Sequence, residues 1–461
     1  MIPEAFLERM KGILKEDYDA FYHALMREEN VHAVRYNADK ITKEDFIAAF
    51  SDHITPLSYA SDGYLCDLPK VGHHPLHHAG AIYSQDPGAM APVNCLTVQK
   101  GWRVADFCAS PGGKSAQLAA AIGDEGFLLS NEVSLPRCKV LAGNIERLGI
   151  KNAFVTNLDT EVIASWFSSF FDLVVVDAPC SGEGMFRKYD VAGEEWKPEL
   201  VPMCAKRQAE ILKNAAKTVK GGGYLLYSTC TFSIEENEEN VDIFLTEHPE
   251  FSVCEVSECV RSVTADGLAF DGAKYPLLLV HGRRFYPHLQ SGEGQFMCLL
   301  KKAETDESPT GIFYKTTSSS LSKEEQRVTE NFLQEVLQEN WKTILPEYIL
   351  QKQGEMITLV PSVVPLPPHH LYLAGVTLGK VQKGRFTPHH HLFSALGKYF
   401  KNQLPLPCDS SEVLAYLHGE TIKTTLPSGY AAVTVCGASL GGVKVVDGVA
   451  KNHYPKGLRT P

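Results

Sequence analysis

Residues 171–184 read FDLVVVDAPCSGEG, in which four consecutive apolar side chains, three of them β-branched, run directly into a carboxylate and then a thiol. An apolar run without alternation suits a strand buried on both faces of a parallel sheet, and such a sheet needs helices on both faces. Ser181, Gly182 and Gly184 then turn the chain sharply. Asp177 and Cys180 are therefore expected at the carboxyl edge of the sheet, where ligands of open α/β folds bind.

The same alternation of strands and helices extends to both sides. WRVADFC, from residue 102, reads as a strand, ASPGG as a turn, KSAQLAAAI as a helix and FLLSNE as a second strand ending in Glu132. A glycine turn between a first strand and its helix lets a ligand approach the backbone, and an acid ending the second strand is placed to bond ribose hydroxyls. A nucleotide-like cofactor is expected. A Walker loop would need Gly where Cys108 stands, and no G-x-G-x-x-G is present, so neither ATP nor NAD is favoured. A helix from Ser134 to Leu148, a strand ending in Asp159 and an amphipathic helix over 201–219 follow. The strand YLLYSTC then ends in Cys230, which puts a second thiol in the same crevice. EENEEN at 235–240 reads as the solvated first turns of a helix from Ser233 to Glu247, with its acids at the positive end of the helix dipole. Residues 282–302 read as a closing antiparallel hairpin, which bounds a catalytic domain at 71–303.

The flanks are less explicit. Phe6, Leu7, Met10, Ile13 and Leu14, then Phe21, Ala24, Leu25 and Met26, recur at helical spacing, 31–37 alternates like a strand, and Thr42 with Asp45 forms a helix-capping pattern. Residues 1–70 are thus a small α+β domain. Four histidines within 73–78 lack a common face for one ion and read as a connector, after which Ile82, Tyr83, Gln85 and Asp86 are candidates to face the nucleotide. Residues 304–340 read as linker plus helix and 341–461 as a strand-rich module, with PSVVPLPP at 361–368 a rigid connection. His389, His390 and His391 are expected on a loop surface, and no metal site is expected. Lys451, Tyr454, Lys456 and Arg459 interleave basic and aromatic side chains in a way that suits RNA contact.

The formal net charge of −11 argues, taken alone, against a polyanionic partner. Its distribution softens that argument, because residues 341–461 hold 12 Lys+Arg against 6 Asp+Glu while the whole chain holds 44 against 55. Twelve scattered cysteines with no CxxC pair suggest neither a disulfide framework nor a zinc ribbon. With no apolar run of about 18 residues and no signal-peptide pattern at the N-terminus, a cytoplasmic monomer without a membrane span is expected.

DFCASPGGKSAQLA, VVVDAPCSGEGMFRK and YSTCTFSIEENEENV, in this order, closely resemble motifs of the Nop/Sun family of RNA 5-methylcytosine methyltransferases. LGGVKVVDGVAKNHYPKGLR further resembles the bacterial RsmF branch, whose members modify decoding-region cytosines of 16S rRNA and carry a PUA-like extension. The resemblance implies an α/β fold built on a Rossmann-like class I S-adenosylmethionine-dependent methyltransferase domain. It also implies a small N-terminal α+β RNA-binding domain, a C-terminal PUA-like, β-rich RNA-binding region, and 16S rRNA or the small ribosomal subunit as partner. By the family pattern Cys230 would be the nucleophile, Cys180 would assist elimination and product release, and Asp177 would hydrogen-bond the cytosine edge. Cys108, Ala109, Pro111, Gly112, Gly113 and Lys114 would form the S-adenosylmethionine loop. Glu132 and Arg137 would contact the ribose and Asp159 the adenine, with Asp177 near the methionine end.

The chemistry agrees with those roles. Cytosine C5 is too weak a nucleophile until a thiolate has added at C6, and a thiol of ordinary pKa about 8.5 must be activated by its site. The target base must also leave its stack, which suits flipped or single-stranded RNA. A DNA 5-methylcytosine methyltransferase would attack with the PC-motif cysteine and lack the Thr-Cys of the other strand end. A non-catalytic assembly factor that keeps the fold for RNA binding would not need Cys180, Cys230, Asp177 and Lys114 intact.

Overall fold

The computed structural model describes residues 2–27, 32–188, 190–305, 321–362 and 371–460. In the catalytic domain β1 (Arg103–Asp106), α1 (Gly113–Ile122), β2 (Phe127–Asn131), α2 (Leu135–Leu148), β3 (Ala153–Thr156), α3 (Thr160–Trp166), β4 (Phe171–Asp177), α4 (Leu200–Thr218) and β5 (Val219–Thr229) alternate. They are followed by α5 (Glu238–Glu247) and the hairpin β6 (Arg283–Phe285) and β7 (Gln295–Lys302). The sheet order is β6-β7-β5-β4-β1-β2-β3. β3, β2, β1, β4 and β5 are parallel, and β7 runs antiparallel to both β5 and β6. The chain steps outward from β1 to β3 and then returns to β4 on the other side. The loops after β1 and β4 therefore diverge and leave a crevice at the carboxyl edge.

The uninterrupted apolar run of β4 has a simple cause. Val174 and Val176 pack with Ile163, Leu212 and Val241 of α3, α4 and α5, while Leu173 and Val175 pack with Leu118 and Ile145 of α1 and α2. All four run residues are 0% exposed, and burying each such side chain is worth about 1.5–3 kcal/mol. The outer edge of β3 is covered by β8 (Leu371–Ala374), an antiparallel strand supplied by the C-terminal region. That cover removes the unpaired row of backbone groups an exposed edge would present.

Both flanking regions pack onto other parts of the chain. The N-terminal four-stranded sheet is centred on His32–Tyr36 and Ala60–Cys66 and is completed by Ile82–Ser84, so it runs past the boundary expected at residue 70. The helices Glu4–Leu14 and Tyr18–Leu25 lie instead on the catalytic domain, with Phe6 at 5.0 Å from Phe186 and Phe21 at 5.0 Å from Phe232, ring centre to ring centre. The C-terminal region forms a four-stranded and a five-stranded sheet. Val34 and Tyr64 of the N-terminal sheet and Phe46 of the helix Lys43–Phe50 share one core with Val433 and Val443 of the five-stranded sheet and Tyr416 of the helix Ser411–His418. No helix among the described residues is long and apolar enough to cross a membrane. The linker over 306–320 and most of PSVVPLPP lie outside the described residues.

Three expectations are corrected. EENEEN is not solvated: Glu236, Asn237 and Glu238 are each 0% exposed, and α5 begins only at Glu238. Glu238 is buried because Arg284 meets it with a two-pronged ion pair, Nε donating at 2.6 Å. His390 and His391 are not on a loop surface either, but are buried in the first turn of the helix His390–Leu396. There the His389 side chain accepts from the His391 N–H as a cap, and His391 Nδ1 accepts from Thr377 N–H at 3.2 Å.

Tyr454, expected to meet RNA, is 3% exposed. Its ring lies 5.3 Å from that of His390 and 5.5 Å from that of Tyr416, and its hydroxyl is 3.3 Å from His78 Nδ1. Strand alternation stops at Asn452, the last residue of the Val449–Asn452 strand, and the chain then turns inward. Tyr454→Ala should therefore destabilise the protein by about 3–5 kcal/mol, the range for truncating a buried aromatic, in urea unfolding. Lys451→Ala and Lys456→Ala, at exposed positions, should stay within about 0.5 kcal/mol of the parent.

Candidate active site

The parallel register of β4 and β5 sets Asp177 beside Ser228, at the last turn of backbone before each strand's thiol. The Ser228 hydroxyl donates to Asp177 Oδ1 at 2.7 Å, Gln295 Nε2 to the same oxygen at 3.2 Å, and Lys114 Nζ to Oδ2 at 2.8 Å. Three elements thus aim donors at one carboxylate. Lys114 reaches it from the first turn of α1 and is 7% exposed. Just beyond, the Cys180 and Cys230 sulfurs lie 3.2 Å apart as free thiols. The hydrogen bond between the two sulfurs pushes the Cys180 thiol well above its ordinary range, and burial and the negative charge of Glu236 add to it.

A cavity of about 1090 Å³ opens beside the thiols. Its walls bring together Cys108, Ala109, Pro111, Gly113 and Lys114 with Glu132, Arg137 and Asp159, and with Asp177, Cys180 and Cys230. Gly112 does not line it but makes its loop possible. With φ +115° it adopts a left-handed conformation, and a Cβ there would sit 3.2 Å from Leu141 Cδ1. Glu132 accepts from Ser134 N–H at 2.9 Å and pairs with Arg137 at 3.2 Å, while Arg137 also donates to Ser110 O at 3.0 Å. The Asp159 side chain caps α3 by accepting from Glu161 N–H at 2.9 Å. Each acid is therefore held in a fixed orientation along the wall. Beneath the loop, burial pushes Asp106 up to about 7, and its Oδ2 accepts from the Ser115 hydroxyl at 2.7 Å. Burial likewise pushes the thiol of Cys108, in the cavity wall, up.

Tyr83, Gln85 and Asp86 line the same cavity, whereas Ile82 is 0% exposed in the core. Arg35 ties this N-terminal segment to the loop by donating to Gly113 O at 3.1 Å. Lys451 and Lys456 are exposed and Arg459 half-buried, and all three lie away from the cavity in the C-terminal sheet region. Gln295, Ser228, Lys188, Arg207 and Glu236 escaped sequence reasoning. No local pattern marks them, although Ser228 precedes the Thr-Cys pair directly and was visible in YSTC. Among the described residues no three His, Cys, Asp or Glu side chains group to hold a metal ion.

A family model described as 16S rRNA methyltransferase RsmB/F matches residues 93–301. The N-terminal domain of 16S rRNA methyltransferase RsmF matches residues 2–87, and the methyltransferase RsmF PUA domain matches residues 403–460. Ribosomal RNA small subunit methyltransferase F of Vibrio parahaemolyticus is 33% identical over 322 residues, which is 67% of this chain and 65% of the relative. That alignment spans less than two thirds of the relative's own length. The protein of the same name from Cronobacter sakazakii is 28% identical over 477 residues, 99% of this chain and 96% of the relative. The crystal structure of NSun6 from Pyrococcus horikoshii with SFG shares the fold, with a TM-score of 0.56 at 20% identity over 66% of this chain and 99% of that one. Matched in all three regions, with the N-terminal, catalytic and PUA domains in that order, this chain belongs to the RsmB/F family of 16S rRNA methyltransferases.

Proposed function

We propose that the protein methylates C5 of one or more cytosines in 16S rRNA, as naked RNA or within the small subunit, through a covalent bond between Cys230 and cytosine C6. The observation that carries this reading is the pair of free thiols 3.2 Å apart beside Asp177, at the mouth of the cavity closed by the glycine loop. One thiol at such a site would serve addition alone. Two, 3.2 Å apart, supply a nucleophile and a second thiol that can assist its release.

The cofactor read for the cavity is S-adenosylmethionine, which supplies an electrophilic methyl group. The residues present fit it: a loop bent at Gly112 so that backbone meets the ligand, Glu132 on the ribose side and Asp159 beyond it. Cys230 adds to C6 and places electron density on C5. Asp177, fixed by Lys114, Ser228 and Gln295, holds the N3 and N4 edge of the base and stabilises the adduct. After methylation a water molecule accepts the C5 proton, the electron pair of that C–H bond re-forms the C5–C6 double bond, and the Cys230–C6 bond breaks to return Cys230 as a thiolate, with Cys180 assisting release. Lys188 and Arg207 at the cavity wall and the basic C-terminal region, including Lys451, Lys456 and Arg459, are the cations offered to the RNA backbone.

Three outcomes are expected. With methyl-labelled S-adenosylmethionine and small-subunit RNA, Cys230→Ala should transfer no label, while Cys180→Ala should accumulate a protein–RNA adduct visible as a denaturation-resistant band. Transfer surviving Cys230→Ala would refute the assignment, and no transfer to any RNA would favour a binding factor. Gly112→Ala should weaken S-adenosylmethionine binding about tenfold or more in equilibrium dialysis without RNA, because Ala is strained at positive φ.

A further inference from the structure

Neither thiol-bearing turn is held by its own strand alone. Gln208 Nε2 donates to Pro179 O, just before Cys180, at 3.0 Å. Just after it, Ser181 N–H donates to Glu236 Oε2 at 3.0 Å, and the Ser181 hydroxyl donates to Glu236 Oε1. Gln208 Nε2 also donates to Glu236 Oε2 at 2.8 Å, which closes the bracket. A second bracket holds the other turn. Thr231, next to Cys230, donates its hydroxyl to Glu183 Oε2 at 2.9 Å, and Phe232 N–H donates to the same oxygen at 3.1 Å. The two brackets meet where the Ser181 and Thr231 hydroxyls lie 2.8 Å apart.

Glu236 and Glu183 are 0% and 1% exposed, and neither makes an ion pair among the described residues. Burying a carboxylate in this way is costly. A neutral amide at 236 has only one acceptor oxygen, whereas a carboxylate can receive all three of these donors. Charge is the second difference. Cys180, Tyr227, Cys204, Glu183 and Arg9 are the titratable groups that face Glu236, and Arg9 is itself paired with Glu235. Cys180 in turn faces the Cys230 sulfur, Glu236 and the N–H of Gly182.

We propose that Glu236 is a positioning residue for the thiol pair, one that fixes the turn carrying Cys180 and decides which of the two sulfurs keeps the proton. A fixed negative charge behind Cys180 disfavours a second one on its sulfur, so the thiolate of the pair forms on Cys230. This deepens, and rests on, the two-cysteine reading given above. Glu183 acts in the same frame from the Cys230 side, and burial pushes its carboxyl up to about 7.

The test follows both sulfurs directly. The full-length protein, without RNA or cofactor, is alkylated with iodoacetamide from neutral to alkaline pH, with Cys180 and Cys230 quantified separately by peptide mass mapping. Methyl transfer is measured on the same variants. Glu236→Gln should move the Cys180 labelling midpoint to lower pH and speed its labelling at neutral pH about tenfold. Glu236→Asp keeps the charge but falls one methylene short of Ser181, so it should leave that midpoint in place and cut methyl transfer about tenfold at every pH. An unchanged Cys180 midpoint in folded Glu236→Gln overturns the proposal, as does parental transfer by Glu236→Asp. If Glu236→Gln does not fold, the transfer rate of Glu236→Asp decides alone. Labelling needs no methyl transfer, so a failure of the two-cysteine chemistry in Cys230→Ala is read separately.

Discussion

The register between two parallel strands is the constraint on which the site depends. Because β4 and β5 pair with Asp177 opposite Ser228, the turns that follow them start side by side, and two thiols 50 residues apart in sequence meet at 3.2 Å. A slip of one residue would turn every side chain of β4 to the opposite face and take Asp177 away from Lys114 and Ser228. The two hydrophobic layers prevent it, since Val174 and Val176 fit one set of helices and Leu173 and Val175 the other. The packing of the core and the geometry of the chemistry are thus one specification.

The flanking regions complete that frame. N-terminal aromatics close over Phe186 and Phe232, residues a few positions beyond each thiol, and Arg35 reaches from the N-terminal sheet to the cofactor loop. From the other end of the chain, β8 seals the free edge of β3. The catalytic sheet is therefore tied to both of its flanking regions.

Much of this was legible in the sequence wherever the signal was local. Continuous apolar runs, the glycine turn and the thiols at strand ends are set by neighbours within a few residues, and the corresponding elements lie close to their expected positions. What escaped was set by distant partners. The acids of EENEEN look solvated until Arg284, Ser181 and Gln208 are brought to them from elsewhere in the chain. His390, His391 and Tyr454 look like surface residues until packing between regions buries them. A periodicity argument sees only which face of an element is apolar, and it has no means of knowing that a polar face will be covered by matching polar groups.

The core shared by the first and last parts of the chain bears on how the protein is made. Phe46 and Tyr64 are synthesised long before the side chains that complete their packing, Tyr416, Val433 and Val443. During synthesis the N-terminal sheet must therefore wait with one apolar face incomplete, while the catalytic domain between can assemble first. That core joins segments separated in sequence by the whole catalytic domain, so it closes late in folding.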